Sequence, residues 1–326
     1  MEENVEKNLS EELRRLEESS GNSFDAPMSP GNLGRSEAAK AADTRTEWAG
    51  IPGWKPIPVE NLPSQGMFYP IGTKMYIRAA EVAEVRQFST IDENDPLDMD
   101  DKLNMLMEKC LKIEYPERIA LWKDLKEEDR FYLIFAIREL TFEEGENKLY
   151  VNMRCGMTCK GDGTYQEKVE MTKENFQYYN IDPVLMRYYS EKERCFVISD
   201  PKVGTLKIYV PSLGITTFIK NFVRERLQQG DYYDKPFLKV APFLFEDWRG
   251  LNDDKYKKMQ IDSVGWSDFK WSLLIRAIEM IRFGVKMQIT RQCNKCGAEV
   301  GAPITFPGGV KSLLVVSNPF EQLSGR

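Results

Sequence analysis

The sequence predicts an α+β protein: a small zinc-clamped β portion framing a mainly helical excursion, preceded by a disordered acidic tail. Three observations lead there. Short alternating runs flank two close cysteine pairs, Cys155 with Cys159 and Cys293 with Cys296. Apolar residues between the pairs recur at helical spacing, and residues 1–47 hold few of the large apolar side chains that offset the entropy of ordering. The 326 residues, 42% of them hydrophobic, suffice for about two domains. The boundaries follow the cysteines: a disordered acidic tail over 1–47, a core with two cysteine knuckles over 48–160 plus 285–326, and the helical excursion over 161–284.

Within the tail, Val5, Leu9, Leu13 and Leu16 fall at helical spacing, with Ser10 as a possible cap, but a frayed tail is the expectation. From Trp48 to Ala80 two Trp, five Pro and four Gly give an extended, turn-rich stretch that leads into a strand at Lys74–Arg78. Asp100–Ile113 carries Leu103, Leu106, Met107, Cys110 and Leu111 on one helical face. Glu127–Leu140 opens with an acidic turn and is apolar almost all round, which predicts a buried helix.

Strands are expected at Lys148–Met153 and Gln166–Met171 on either side of the first cysteine pair. Helical patterns follow at Lys173–Tyr179 and Asp182–Tyr189, and strands at Arg194–Ile198 and Thr205–Val210. Thr217–Gln229 reads as a helix stopped by Gly230, with further helices over Asp234–Asp247 and Ser267–Phe283. The last aligns Trp271, Leu274, Ala277, Ile278 and Ile281 on one face. A strand at Val285–Thr290 then runs into the second cysteine pair, and a returning strand follows within GAEVGAPITF after Cys296. Trp248, Trp266 and Trp271 are expected in the core; the Gly230–Pro236 turn either folds onto the protein or presents its two tyrosines.

Composition excludes several chemistries. The chain has no histidine, so it can hold no Ser-His-Asp triad, no Cys-His pair and no His-ligated metal. Acid-base work would fall to carboxylates, lysine or tyrosine, yet adjacent pairs such as Glu143 and Glu144 or Asp253 and Asp254 are linked to no other catalytic group by sequence. No catalytic residue is assigned, and no small-molecule substrate is expected. Net charge is −6, and residues 1–50 carry eleven acidic against six basic groups. The rest is close to neutral, with +7 over 202–326 against −8 over 51–201. That balance argues against nucleic acid as the main partner. No basic, then apolar, leader opens the chain, and no run approaches the roughly 18 apolar residues of a membrane span; the expected setting is cytoplasmic.

Thiolates are soft ligands, and four at the corners of a tetrahedron suit a structural zinc. Cys293-Asn-Lys-Cys296-Gly has the standard two-residue gap, with Gly297 free to take the positive φ such a turn needs. Cys155-Gly-Met-Thr-Cys159 has a three-residue gap, also within range. One shared zinc per chain, held by Cys155, Cys159, Cys293 and Cys296, is the expectation. Metal-free knuckles and redox chemistry are the alternatives. Cys110 and Cys195 sit in apolar patterns and read as buried inert thiols.

At Leu62–Pro70, LPSQGMFYP, the chain resembles the baseplate hub assembly proteins of T-even-type contractile-tailed phages. Asp129 and the Ile137-Arg138 pair match that family's helical part, and both cysteine pairs and Phe306-Pro307-Gly308-Gly309 continue the likeness over residues 60–170 and 285–315. The resemblance implies an assembly factor or minor structural component that contacts baseplate hub or tape-measure proteins. It would act in the host cytoplasm during assembly or in the tail baseplate of the virion, with no membrane partner. From the residues themselves, Leu62–Pro70 reads as a rigid extended segment packed on its own core, and Asp129 and Arg138 as members of separate ion pairs. A nucleic-acid-binding zinc-knuckle protein is the second reading, carried by Lys160, Arg291 and Lys295 beside the knuckles.

Overall fold

Lys74–Arg78 is a strand that buries Met75, Tyr76 and Ile77 in succession, so both of its faces are covered, and its neighbours assemble on it. The computed structural model describes residues 52–142, 147–155, 166–230, 234–293, 296–306 and 308–316. The chain divides into two units, Met1–Pro52 and Gly53–Arg326, and the fold is that of the second. The expected tail, with Val5 to Leu16, lies outside the described residues.

β1 (Trp54–Ile57) pairs antiparallel with β2 (Lys74–Arg78). Between them Leu62–Pro70 is a run of turns, not an extended segment. Gln65 and Gly66 sit at φ 52° and 76°, and Leu62, Phe68 and Tyr69 are buried. α1 (Val82–Phe88) precedes α2 (Pro96–Cys110), whose first turn is fixed by Pro96 and by the Asp95 carboxylate accepting from Leu97 N. This helix starts a turn before the predicted Asp100 and stops before Ile113, because Leu111–Glu114 is claimed by β2 as β3. Leu111 and Ile113 are buried there, so sheet pairing overrides helical periodicity.

A 3₁₀ turn, Glu127–Asp129, leads into α3 (Arg130–Thr141). Tyr132 through Arg138 are buried without a break, as expected of a helix that is apolar all round. β4 (Tyr150–Arg154) and β5 (Gln166–Glu170) form a hairpin in which Val151 faces Val169 and both are buried. The predicted helix at Lys173–Tyr179 is instead a set of turns ending in β6 (Tyr178–Tyr179), which pairs with Gly284–Val285. Here a distant strand partner outweighs a weak local pattern.

α4 (Pro183–Met186) is capped by Asp182, and β7 (Tyr189–Ser190), β8 (Cys195–Asp200) and β9 (Gly204–Ile208) form an antiparallel sheet in that order. α5 (Leu213–Gln229) begins a turn before the predicted Thr217 and ends at Gly230, whose φ of 71° is the left-handed helix stop. α6 (Lys235–Val240) gives way at Ala241–Leu244 to a 3₁₀ turn holding Pro242, so the predicted helix over Asp234–Asp247 is interrupted. α7 (Asp253–Val264), capped by the Asn252 side chain, is absent from the sequence reading because its apolar positions are sparse. α8 (Asp268–Met280) follows, capped by Ser267. β10 (Gly284–Val285) is the partner of β6, and β11 (Gln288–Gln292) pairs with β12 (Glu299–Pro303).

Two apolar cores result. The first gathers Phe88, Leu106, Leu133, Phe135, Met153 and Ile289 around α3 and both cysteine hairpins. The second gathers Phe196, Ile208, Ile215, Phe237, Tyr256 and Leu274 between the β7–β9 sheet and helices α5 to α8, with Trp248, Trp266 and Trp271 packed against it. Leu62 and Tyr69 enter the first core and Phe68 the second, so one turn-rich segment serves both.

Candidate metal centre

Two hairpins deliver the cysteines. Cys155 directly follows β4 and Cys293 directly follows β11, both buried, while Cys296 is exposed on the turn between β11 and β12. That turn is fixed by its own backbone: Cys293 N donates to Ala298 O at 2.8 Å, and Gly297 N donates to Cys293 O at 2.8 Å. Gly297 takes φ 71°, as its position in the motif predicts. β12 packs beside β4, which sets the two hairpins side by side.

The consequence is convergence across 138 to 141 positions of sequence: the Cys155, Cys293 and Cys296 sulfurs all lie within 4.8 Å of one another, and Cys155 Sγ is 3.6 Å from Cys296 Sγ. Cys159, the fourth expected ligand, lies outside the described residues, as do Lys160 and Lys295. Arg291, the described basic residue of that group, donates to Asn175 Oδ1 at 2.7 Å.

The other cysteines stand apart. Cys110 and Cys195 are fully buried free thiols. Burial, with Glu84 beside Cys110 and Glu193 beside Cys195, pushes these thiols up to about 12 and about 11, which suppresses the reactive thiolate.

The remaining residues singled out by sequence take structural places. Asp129 accepts from Ser64 N at 2.9 Å and from the Tyr69 hydroxyl at 2.7 Å. Arg138 donates to the carbonyls of Leu313 and Asn147 and lies over the Phe142 ring. Both were expected in ion pairs, but each buried charge bonds to uncharged groups supplied by distant backbone or by Tyr69. Burial raises the Asp129 carboxyl to about 6 against the opposing pull of its two donors and Lys126. Asp253 and Asp254 are exposed in the first turn of α7, with Asp253 4.0 Å from Lys257. Glu143, Glu144 and the two tyrosines of the Gly230–Pro236 turn lie outside the described residues.

Sequence reasoning passed over Lys126, Arg194 and Ser212, which line a polar cleft at the seam of the two cores. Nothing in their local patterns marks them; only the fold brings them together.

No family model, curated protein or solved structure matches the chain.

Proposed function

We propose that the chain is a non-enzymatic assembly factor or minor structural component of a contractile phage tail, working through protein contacts at the baseplate hub, and that Cys155, Cys159, Cys293 and Cys296 hold one structural zinc that clamps its first core. The metal assignment is carried by the convergence of three sulfurs from two remote hairpins. Two thiolates bound tetrahedrally at about 2.3 Å stand about 3.8 Å apart, close to the 3.6 Å between Cys155 and Cys296. A fourth thiolate from Cys159 would complete a closed set, and a closed all-thiolate zinc leaves no open position for substrate.

The baseplate reading rests on the resemblance at Leu62–Pro70. It is supported by the contact of that segment with Asp129, which belongs to the same resemblance: Ser64 and Tyr69 both bond to its carboxylate across 60 or more positions. The motif residues thus form one buried unit at the junction of the cores.

Metal analysis of purified, reduced protein tests the first half: about one zinc per chain is expected, and folded protein without metal overturns it. A pulldown from infected cells tests the second. Hub, tape-measure or baseplate proteins should be recovered; nucleic acid without them overturns the assembly reading in favour of a nucleic-acid-binding knuckle.

A further inference from the structure

We infer that the polar cleft at the seam of the two cores is a carboxylate-binding site, formed by Ser212 at the start of α5 together with Lys126 and Arg194. The cleft encloses about 180 Å³. Ser212, which lines it, precedes the first turn of a 17-residue helix whose dipole favours negative charge there, although Leu213 N and Thr216 N already donate to Leu125 O and Ser212 O. No acidic side chain occupies that first turn. Ser212 stands in the capping position yet makes no capping hydrogen bond; it is 4% exposed, and its hydroxyl has no hydrogen-bond partner among the described residues. A buried hydroxyl without a partner is costly and calls for an acceptor.

Lys126 and Ser212 face each other across an antiparallel bridge, so their side chains project to the same side. The ammonium of Lys126 donates to Val210 O at 3.1 Å, which leaves two of its three donors for another acceptor. Arg194 lines the same cleft, half-buried, and forms no ion pair among the described residues. Its charge acts on both Lys126 and Tyr115; burial, reinforced by Arg194, brings the Lys126 ammonium down to about 8.

The neighbouring carboxylates are for the most part already matched. Asp124 takes both guanidinium nitrogens of Arg249, as well as Arg118, and the same two arginines reach Asp247. Glu193 pairs with Lys207 at 2.6 Å. Arg194, Lys126 and a helix N-terminus then stand inside, with the Lys126 charge partly opposed by buried Asp129, against exposed Glu117 and Glu246 among the lining residues. A monoanion fits this balance. A dianionic phosphate would meet repulsion from both glutamates, while a planar carboxylate matches the arginine fork.

The carboxylate could belong to a free small acid or to an acidic side chain of a protein; exposed Ile71 and Ile119, 84% and 85% accessible, stand next in sequence to the lining residues Pro70 and Arg118. Titrating the full chain with acetate, followed by amide shifts in NMR, should give saturable changes at Lys126, Ser212 and Gly214. R194Q should weaken acetate binding about tenfold or more, the usual effect of losing a charge-assisted hydrogen bond. S212A, which removes no existing hydrogen bond, should weaken it less and serves if R194Q fails to fold. Tighter binding of a capped Leu-Glu-Leu peptide than of acetate would support a protein side chain as the source, and equal binding a free acid. Absence of saturation by acetate, binding of phosphate in its place, or unchanged acetate affinity in folded R194Q or S212A overturns the site.

Discussion

The two cores are built from different distances along the chain. Apart from Phe68, the buried members of the second core run from Leu185 to Phe283, whereas the first joins residues 62–176 to residues 285–314, with Leu213 between. A core made of one continuous stretch closes through modest loops. One made of two remote pieces must bring together chain ends more than a hundred residues apart before any contact between them is gained. The converging cysteines stand where those remote pieces meet, just past the ends of β4 and β11. A metal clamp at that point would stabilise the core that needs it and leave the other nearly untouched.

The sharpest way to break this contrast is to remove the clamp. Chelation, or Cys293→Ser, is expected to cost about 4 kcal/mol or more. Hydrogen exchange should localise the loss to β4, β5, β11, β12 and α3, with α5 and α8 still protected. Equal loss of protection in both cores would remove the distinction. Cavity mutations probe it next. Phe135→Ala in the first core and Leu274→Ala in the second, both fully buried, should each cost about 3 to 4 kcal/mol by denaturant unfolding. If the clamp serves the first core alone, only Phe135→Ala should also increase the rate of metal loss to a chelator.

A pH effect of intermediate size follows from Asp129, whose neighbours are Ser64, Tyr69 and Lys126. Its carboxyl sits at about 6 in the fold, above the ordinary carboxylate value. The folded state therefore binds the proton more tightly than the unfolded chain, and this group adds stability as pH falls from about 6 toward about 4. Relative to Asp129→Asn, the wild type should gain up to about 1.4 kcal/mol per pH unit across that window, read by thermal melts in a series of buffers. A flat difference would show that the carboxyl is not desolvated. The smallest expected effect is at the knuckle turn. A Cβ at Gly297 meets nothing within 4 Å, so Gly297→Ala is strained only by its φ of 71°. A cost of about 1 kcal/mol is expected, measured as weaker zinc retention in competition with a chelator; unchanged retention would mean the turn does not set the sulfur positions.

Much of this was legible in the residues. The Lys74–Arg78 strand, the fully buried α3, the Gly230 helix stop and the Gly297 turn each follow from a local rule that tertiary structure had no reason to overturn. Local pattern and structure part where a distant partner decides the outcome. Leu111–Glu114 left its predicted helix to pair with β2, and Tyr178–Tyr179 left another to pair with β10. α7 is weakly marked in the sequence because a helix lying on the surface of a core needs few apolar positions, and its Asn252 cap is the local signal.

The sequence by itself determined the α+β class, the absence of any imidazole chemistry and the two cysteine pairs, since these depend on composition and short-range spacing. Only the tertiary structure decided that Cys155 lies beside Cys293 and Cys296, that Ser64 and Tyr69 hold Asp129, and that Lys126, Arg194 and Ser212 line one cleft. Each of those sets spans tens to more than a hundred positions. No local pattern encodes such a distance; it is fixed by which buried faces pack against which.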